Sequence, residues 1–229
     1  MDERIAGDCF VFEKPSIDSI NFFLPTTLGK IHIRGPADSR QIRDYKFALG
    51  LNSFRPASKQ HIALTELAQQ PDGLIFTASL ANTVISYISF QKPDFPWWKE
   101  RCFSRLIELG GLETDPQWRK MGITRELLNS LFKNPDFTYF EDFITIAVHS
   151  VYGWDLDNTG LSAWAYRQFM IDFFKPYNFT LWETVDPEIR EHPCNILLAR
   201  VGANTDQNCI NLFEGCCLGT AEIKRNNID

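Results

Sequence analysis

Apolar and polar positions along this chain switch between two rhythms. Alternation with a period near two marks half-buried strands, while apolar residues recurring at three- and four-residue steps mark one face of a helix. Residues 20–35, INFFLPTTLGKIHIRG, predict a hairpin turning over residues 25–29. Residues 37–51 and 57–73 read as two helices, the first with Asp38 or Ser39 as N-cap. Ser58 is the expected N-cap of the second, and Pro71 and Gly73 stop it. Residues 74–90 return to strand character, as a second hairpin turning at Ala81 and Asn82. KPDFPWWKER, residues 92–101, is an insertion that reads as a lid or a packed loop. A strand (103–116), a loop with a helix ending at Phe132, a strand (140–150) and a helix (158–174) follow. A strand (179–185), a short turn (186–193), a strand (194–202) and a helix from about Thr205 close the order.

This succession predicts an α/β (α+β) fold whose sheet is largely antiparallel but contains one crossover, between residues 106 and 146. Ligands bind beside such a parallel pair. No repeat or long linker divides the chain, so a single domain is expected, with a core over about residues 19–218 and flexible ends. The stretch between Asp72 and Lys92 carries no charge and approaches the length of a membrane span. Asn82, Gln91 and several hydroxyl side chains interrupt it, which favours the hairpin.

The formal net charge of -6 argues against nonspecific nucleic-acid binding, which depends on neutralising phosphates. Cys9, Cys102, Cys194, Cys209, Cys216 and Cys217 show no CxxC spacing, and His32, His61, His149 and His192 form no HxxxH pair, so no metal is expected. With no signal peptide at its start, the chain is expected to be cytoplasmic, with reduced thiols and no membrane association. The sequence leaves room for an oligomer.

Against that acidic background, Arg119, Lys120 and Arg125 gather around one glycine where a loop enters a helix. The first turn of a helix offers unpaired N–H groups and partial positive charge, a natural anion site. Arg119, Lys120, Met121, Gly122, Ile123 and Thr124 would present those groups to a phosphate, with Gly122 allowing close approach and Thr124 adding a hydroxyl; an ordinary solvated helix start is the alternative. On the preceding strand, Glu108 lies between Ile107 and Leu109, where partial desolvation would raise its proton affinity; a salt-bridged strand glutamate is the alternative. Regular alternation places Glu108, Gly110, Leu112 and Thr114 on one face and Glu113 on the other, unless a bulge at Gly110 and Gly111 shifts the pattern. Leu112, Glu113 and Thr114 offer a backbone ladder for an extended, amide-bearing ligand. Asn158 is a candidate helix cap or ligand contact, and His149 reads as a satisfied strand-end histidine. Cys102 has no evident histidine partner, so a cysteine nucleophile is not expected. Arg55, Trp97 and Trp98 fall in segments expected to border a binding groove, with packing as the alternative for the tryptophans.

A strand followed by Arg-x-x-Gly-x-small and a helix resembles the acetyl-CoA loop of the GCN5-related N-acetyltransferases (GNAT superfamily). Arg119 and Gly122 match its first fixed positions; Thr124 departs at the third, and Lys120 stands where many members have glycine. SFRPASKQHIAL, LIELGGLETDP, WDLDNTGLSAWAYRQFM and HPCNILLARVG are similar, in order and spacing, to the acetoin-utilization AcuA branch of that superfamily, over about residues 31–213. The resemblance implies helices on both faces of the sheet and a parallel pair splayed for acetyl-CoA. It implies a protein-lysine acetyltransferase that uses acetyl-CoA as cosubstrate to down-regulate the AMP-forming acetyl-CoA synthetase. Small-amine acetylation and non-catalytic binding of acetyl-CoA are the competing readings. It further implies Glu108, eleven residues before Arg119, as catalytic base with Glu113 as rival, and Tyr166 as the acid; an aromatic core role is the alternative for Tyr166.

Overall fold

The structure, a computed structural model, describes residues 13–16, 19–93 and 105–220. Most of the tryptophan insertion, with Trp97, Trp98 and Cys102, lies outside the described residues, as does Cys9. Among the described residues nine strands form one sheet: β1 (Ile20–Thr26), β2 (Gly29–Gly35), β3 (Lys46–Phe47), β4 (Leu74–Leu80), β5 (Thr83–Gln91), β6 (Leu106–Thr114), β7 (Ile144–His149), β8 (Thr180–Trp182) and β9 (Ile196–Val201). The order is β1-β2-β4-β5-β6-β7-β9-β8, with β3 beside β5. β6 and β7 run parallel, as the crossover predicts; the two residues of β3 also run parallel to β5, which the pattern did not foretell. Helices are α1 (Ser39–Asp44), α2 (Ala57–Gln69), α3 (Ile123–Phe132), α4 (Leu156–Thr159), α5 (Ala163–Phe174), α6 (Pro187–Arg190) and α7 (Gln207–Cys217).

Helices cover both sheet faces. On one, α3 and α5 seal a core built from Ile88, Phe90, Leu109, Leu127, Leu131 and Phe174. Many of the chain's 19 phenylalanines meet there, Phe90 and Phe140 with ring centroids 4.5 Å apart. On the other face α1 and α2 cover Tyr87 and Ile75, and α7 covers Ile144, Ile146 and Leu197.

Three local expectations need correction. The first helix ends at Asp44, not near Leu51, because the Asn82 side chain takes the Asp44 carbonyl (2.8 Å) and the chain then pairs with β5. Ser58 lies inside α2, and its N-cap Pro56 gives no side-chain cap. Asp38 does cap α1, in a reciprocal box with Gln41. The turn at residues 186–193 contains α6, whose first amides bond to the Asp186 carboxylate.

The bulge that the sequence allowed at Gly110 and Gly111 positions the site. Ser89 pairs with Gly111 while the next residue, Phe90, pairs with Leu109, so Gly110 bulges out of the ladder. Tyr87, Ser89 and Gln91 alternate on β5 and face Glu113, Gly111 and Glu108 in turn. The bulge therefore brings both glutamates to one face, where unbroken alternation would separate them. Glycine suits the position: a Cβ on Gly111 would lie 3.2 Å from the Ser89 hydroxyl.

Candidate active site

β6 and β7 pair only from Leu106 with Ile144 to Glu108 with Ile146, then diverge. A cleft of about 480 Å³ opens in the splay, with Leu109–Thr114 on one wall and Val148–Ser150 on the other. Its floor is apolar, from Met170 and Phe173 of α5, and Phe54 forms part of its lip at 48% exposure. Leu112, Glu113, Thr114, Arg119, Thr124 and Tyr166 of the expected site residues line it.

Glu113 is 4% exposed, with one donor on each carboxylate oxygen. Its Oε1 accepts the Ser53 N–H at 2.6 Å and its Oε2 the Tyr87 hydroxyl at 3.1 Å, tying the segment before α2 to the strand. Burial, and after it the Glu113 charge, pushes the Tyr87 phenol far above its ordinary range, so it stays a donor. Glu108, 9% exposed, sits at the apex where the parallel pairing ends and is not part of the cleft lining. Arg55 lies in an adjoining pocket of about 250 Å³, which shares Phe54, Gly110 and Gly111 with the cleft.

Lys120 and Gly122 both take left-handed backbone, with φ of 66° and 80°. That conformation costs a side-chain-bearing residue roughly 1 kcal/mol, which explains why glycine suits the lysine position elsewhere. Gly122 is the N-cap of α3 and offers no side-chain cap, and a Cβ there would meet nothing within 4 Å. The space beside Gly122 is thus open. Ile123 is buried and Met121 packs against the core; Arg119 and Thr124 line the cleft, while Lys120, Met121, Gly122 and Ile123 do not. The Thr124 hydroxyl is 2.7 Å from that of Thr114, which in turn is 2.7 Å from that of Ser86. It pins α3 to β6 within the cleft wall. Arg119 reaches Asp155 (2.8 Å) and the Thr114 carbonyl (3.3 Å).

Tyr166 lies on α5 one turn beyond the N-cap, Ser162. Its ring stacks on Trp154 at 5.0 Å, and burial raises its pKa, opposed by a backbone hydrogen bond at Asp155. The N-cap of this helix is Ser162, and position 158 falls in the short α4. His149 is not satisfied as expected: its Nε2 is buried without a partner, and burial lowers its pKa to about 4, keeping the ring neutral. Ser53, Tyr87, Trp154 and Asp155 escaped the sequence reading. Their roles come from contacts between distant segments, and no local pattern marks them. Among the described residues no group of three His, Cys, Asp or Glu is placed to hold a metal, and no helix is long and apolar enough to cross a membrane.

A mostly antiparallel sheet splayed at one parallel pair, with an uncapped helix start at its mouth, defines the class. Residues 45–134 match the family model for the acetyltransferase (GNAT) family, and the chain is a GNAT-type N-acetyltransferase. Within that class it belongs to the AcuA family. It is 34% identical over 192 residues to the acetoin utilization protein AcuA of Bacillus licheniformis, covering 83% of this chain and 90% of that one. The AcuA of Bacillus subtilis is 31% identical over the same shares. The crystal structure of an acetoin utilization protein from Exiguobacterium sibiricum superposes with a TM-score of 0.80 at 32% identity, covering 87% of this chain and 93% of that one.

Proposed function

We propose that the chain transfers the acetyl group of acetyl-CoA to a lysine of the AMP-forming acetyl-CoA synthetase in the cytoplasm and so down-regulates it. The carrying observation is the β6–β7 splay, whose cleft is lined by Glu113, Tyr166 and the two ends of the loop before α3, Arg119 and Thr124. The diphosphate of acetyl-CoA suits the open first turn of α3, and the pantetheine chain suits the unpaired β6 edge at Leu112–Thr114. Free lysine has a pKa near ~10.4, so its proton must be taken before attack. Glu113 is the glutamate in the cleft and is our candidate for that role, the other cleft carboxylate, Asp155, being paired with Arg119; Glu108 stands behind it at the apex. The neutral amine attacks the thioester carbon, the carbon–sulfur bond breaks, and Tyr166 gives its proton to the leaving thiolate. A lip carrying the exposed Phe54 favours a protein acceptor over a small amine.

The test is incubation of the purified protein with labelled acetyl-CoA and acetyl-CoA synthetase, followed by mapping of modified lysines and assay of the synthetase. Label on one synthetase lysine with loss of synthetase activity is expected. Label only on small amines would overturn the acceptor assignment. Glu113→Gln should lower kcat by about 10²–10⁴ with acetyl-CoA affinity kept, and Glu108→Gln should lower it less. The reverse order would move the base to Glu108.

A further inference from the structure

The cation at the first fixed position of the loop is already engaged. Arg119 bridges the mouth of the cleft, its Nη1 2.8 Å from Asp155 Oδ2, while its Nε donates to the Thr114 carbonyl. Asp155 follows Trp154, whose indole stacks on Tyr166, and both Asp155 and Tyr166 line the cleft. The ion pair is partly open to water, with the two side chains 36% and 21% exposed. Ion pairs this open to water contribute little to stability, too little to make this one a staple of the fold. What it does accomplish is to place a carboxylate, an anion like a phosphate, on the guanidinium that faces the α3 start.

We propose that Asp155 is a positioning residue: it holds Arg119 across the cleft mouth until the cofactor's diphosphate takes its place, and the exchange turns the Asp155 charge onto Tyr166. This rests on the acetyl-CoA reading above. A guanidinium recognises carboxylate and phosphate by the same paired N–H geometry, so the two ligands compete for it. Burial, the largest influence, and the Asp155 charge favour the phenol of Tyr166, against a backbone hydrogen bond at Asp155 and the Arg119 charge; the net direction is toward the phenol. When Arg119 turns to the diphosphate, that preference for the protonated form, the form that can serve a leaving thiolate, is strengthened. The other titratable groups on the cleft walls are Glu113 of β6 and His149 of β7, the latter neutral. Cofactor arrival and readiness of the acid would thus be coupled through one carboxylate.

Calorimetry with coenzyme A on the wild type, Asp155→Asn, Arg119→Gln and the double variant tests the exchange. Removing the competitor should tighten coenzyme A about two- to fivefold when Arg119 is present, and leave affinity unchanged when it is Gln. The alkaline limb of the kcat profile of Asp155→Asn should move to lower pH, a readout that loosened packing would not give. Weaker binding in Asp155→Asn, an equal change in both Arg119 backgrounds, or an unmoved limb would overturn the proposal while leaving the acetyl-CoA reading intact. No heat with coenzyme A in the wild type would overturn that reading, and this proposal with it. Asp155→Ser serves in the same cycle if the Asn variant does not fold.

Discussion

Burial acts on single side chains of this cleft in opposite directions. It keeps the Tyr87 and Tyr166 phenols protonated and the His149 imidazole neutral. For His149 the cost is visible in stability. Its folded pKa, about 4, lies below its ordinary 6.5, so the unfolded chain binds the proton first as pH falls. Stability is unaffected above pH 6.5, declines as pH drops from there, and levels off below pH 4, where both states are charged. Urea unfolding at pH 7.5 and pH 5 should show the wild type losing about 2 kcal/mol more than His149→Gln between those two values. An equal loss in both proteins would mean that the ring titrates normally. The two glutamates differ in their contacts: Glu113 is held by two donors inside the cleft, and Glu108 ends the parallel ladder.

At the scale of elements, the loop before α3 shows what local sequence can and cannot convey. A helix from residue 123 to Phe132 was legible because its apolar positions recur with helical spacing and Gly122 breaks the preceding chain. The left-handed backbone at Gly122 was also in reach, since glycine is the residue that adopts it without strain. Partners across the cleft were not: Arg119 to Asp155 and Ser53 to Glu113 join segments 36 and 60 residues apart. The end of α1 was misjudged for a similar reason, as Asn82 from a distant hairpin takes its last carbonyl. Gly122→Ala separates the two uses of this loop. Nothing lies within 4 Å of the added methyl, so only the positive φ is penalised, by about 1 kcal/mol. The methyl nonetheless projects into the space a phosphate would need beside the first-turn amides. Differential scanning should report a fall in Tm of a few degrees, about 2–4 °C per kcal/mol for a chain of this size. Coenzyme A affinity should fall by more than tenfold, and a variant that binds coenzyme A as the wild type does would place the diphosphate elsewhere.

The whole molecule sets its cleft at a junction of separately packed regions. α3 and α5 seal the sheet on one face, and α7 seals β7 and β9 on the other through Phe213, Cys216 and Cys217. Both sides can be insulated because the sheet between them is itself tightly filled. β7 shows how tightly: Ile144 and Ile146 pack on one side and Ala147 on the other, all fully buried. Phe213 anchors the α7 side, its ring 4.9 Å from that of Trp182. Val148 is shared, packing toward Phe213's cluster while also lining the cleft. Phe213→Ala should therefore cost about 3–5 kcal/mol by leaving a cavity, and lower Tm by on the order of 10 °C. If the sheet insulates its faces, KM for acetyl-CoA below the new Tm stays within about twofold of the wild type, since 0.4 kcal/mol is all that change represents. If KM rises in step with the loss of stability, the α7 side governs the splay of β7 through Val148, and the cleft is not an independent unit of the fold.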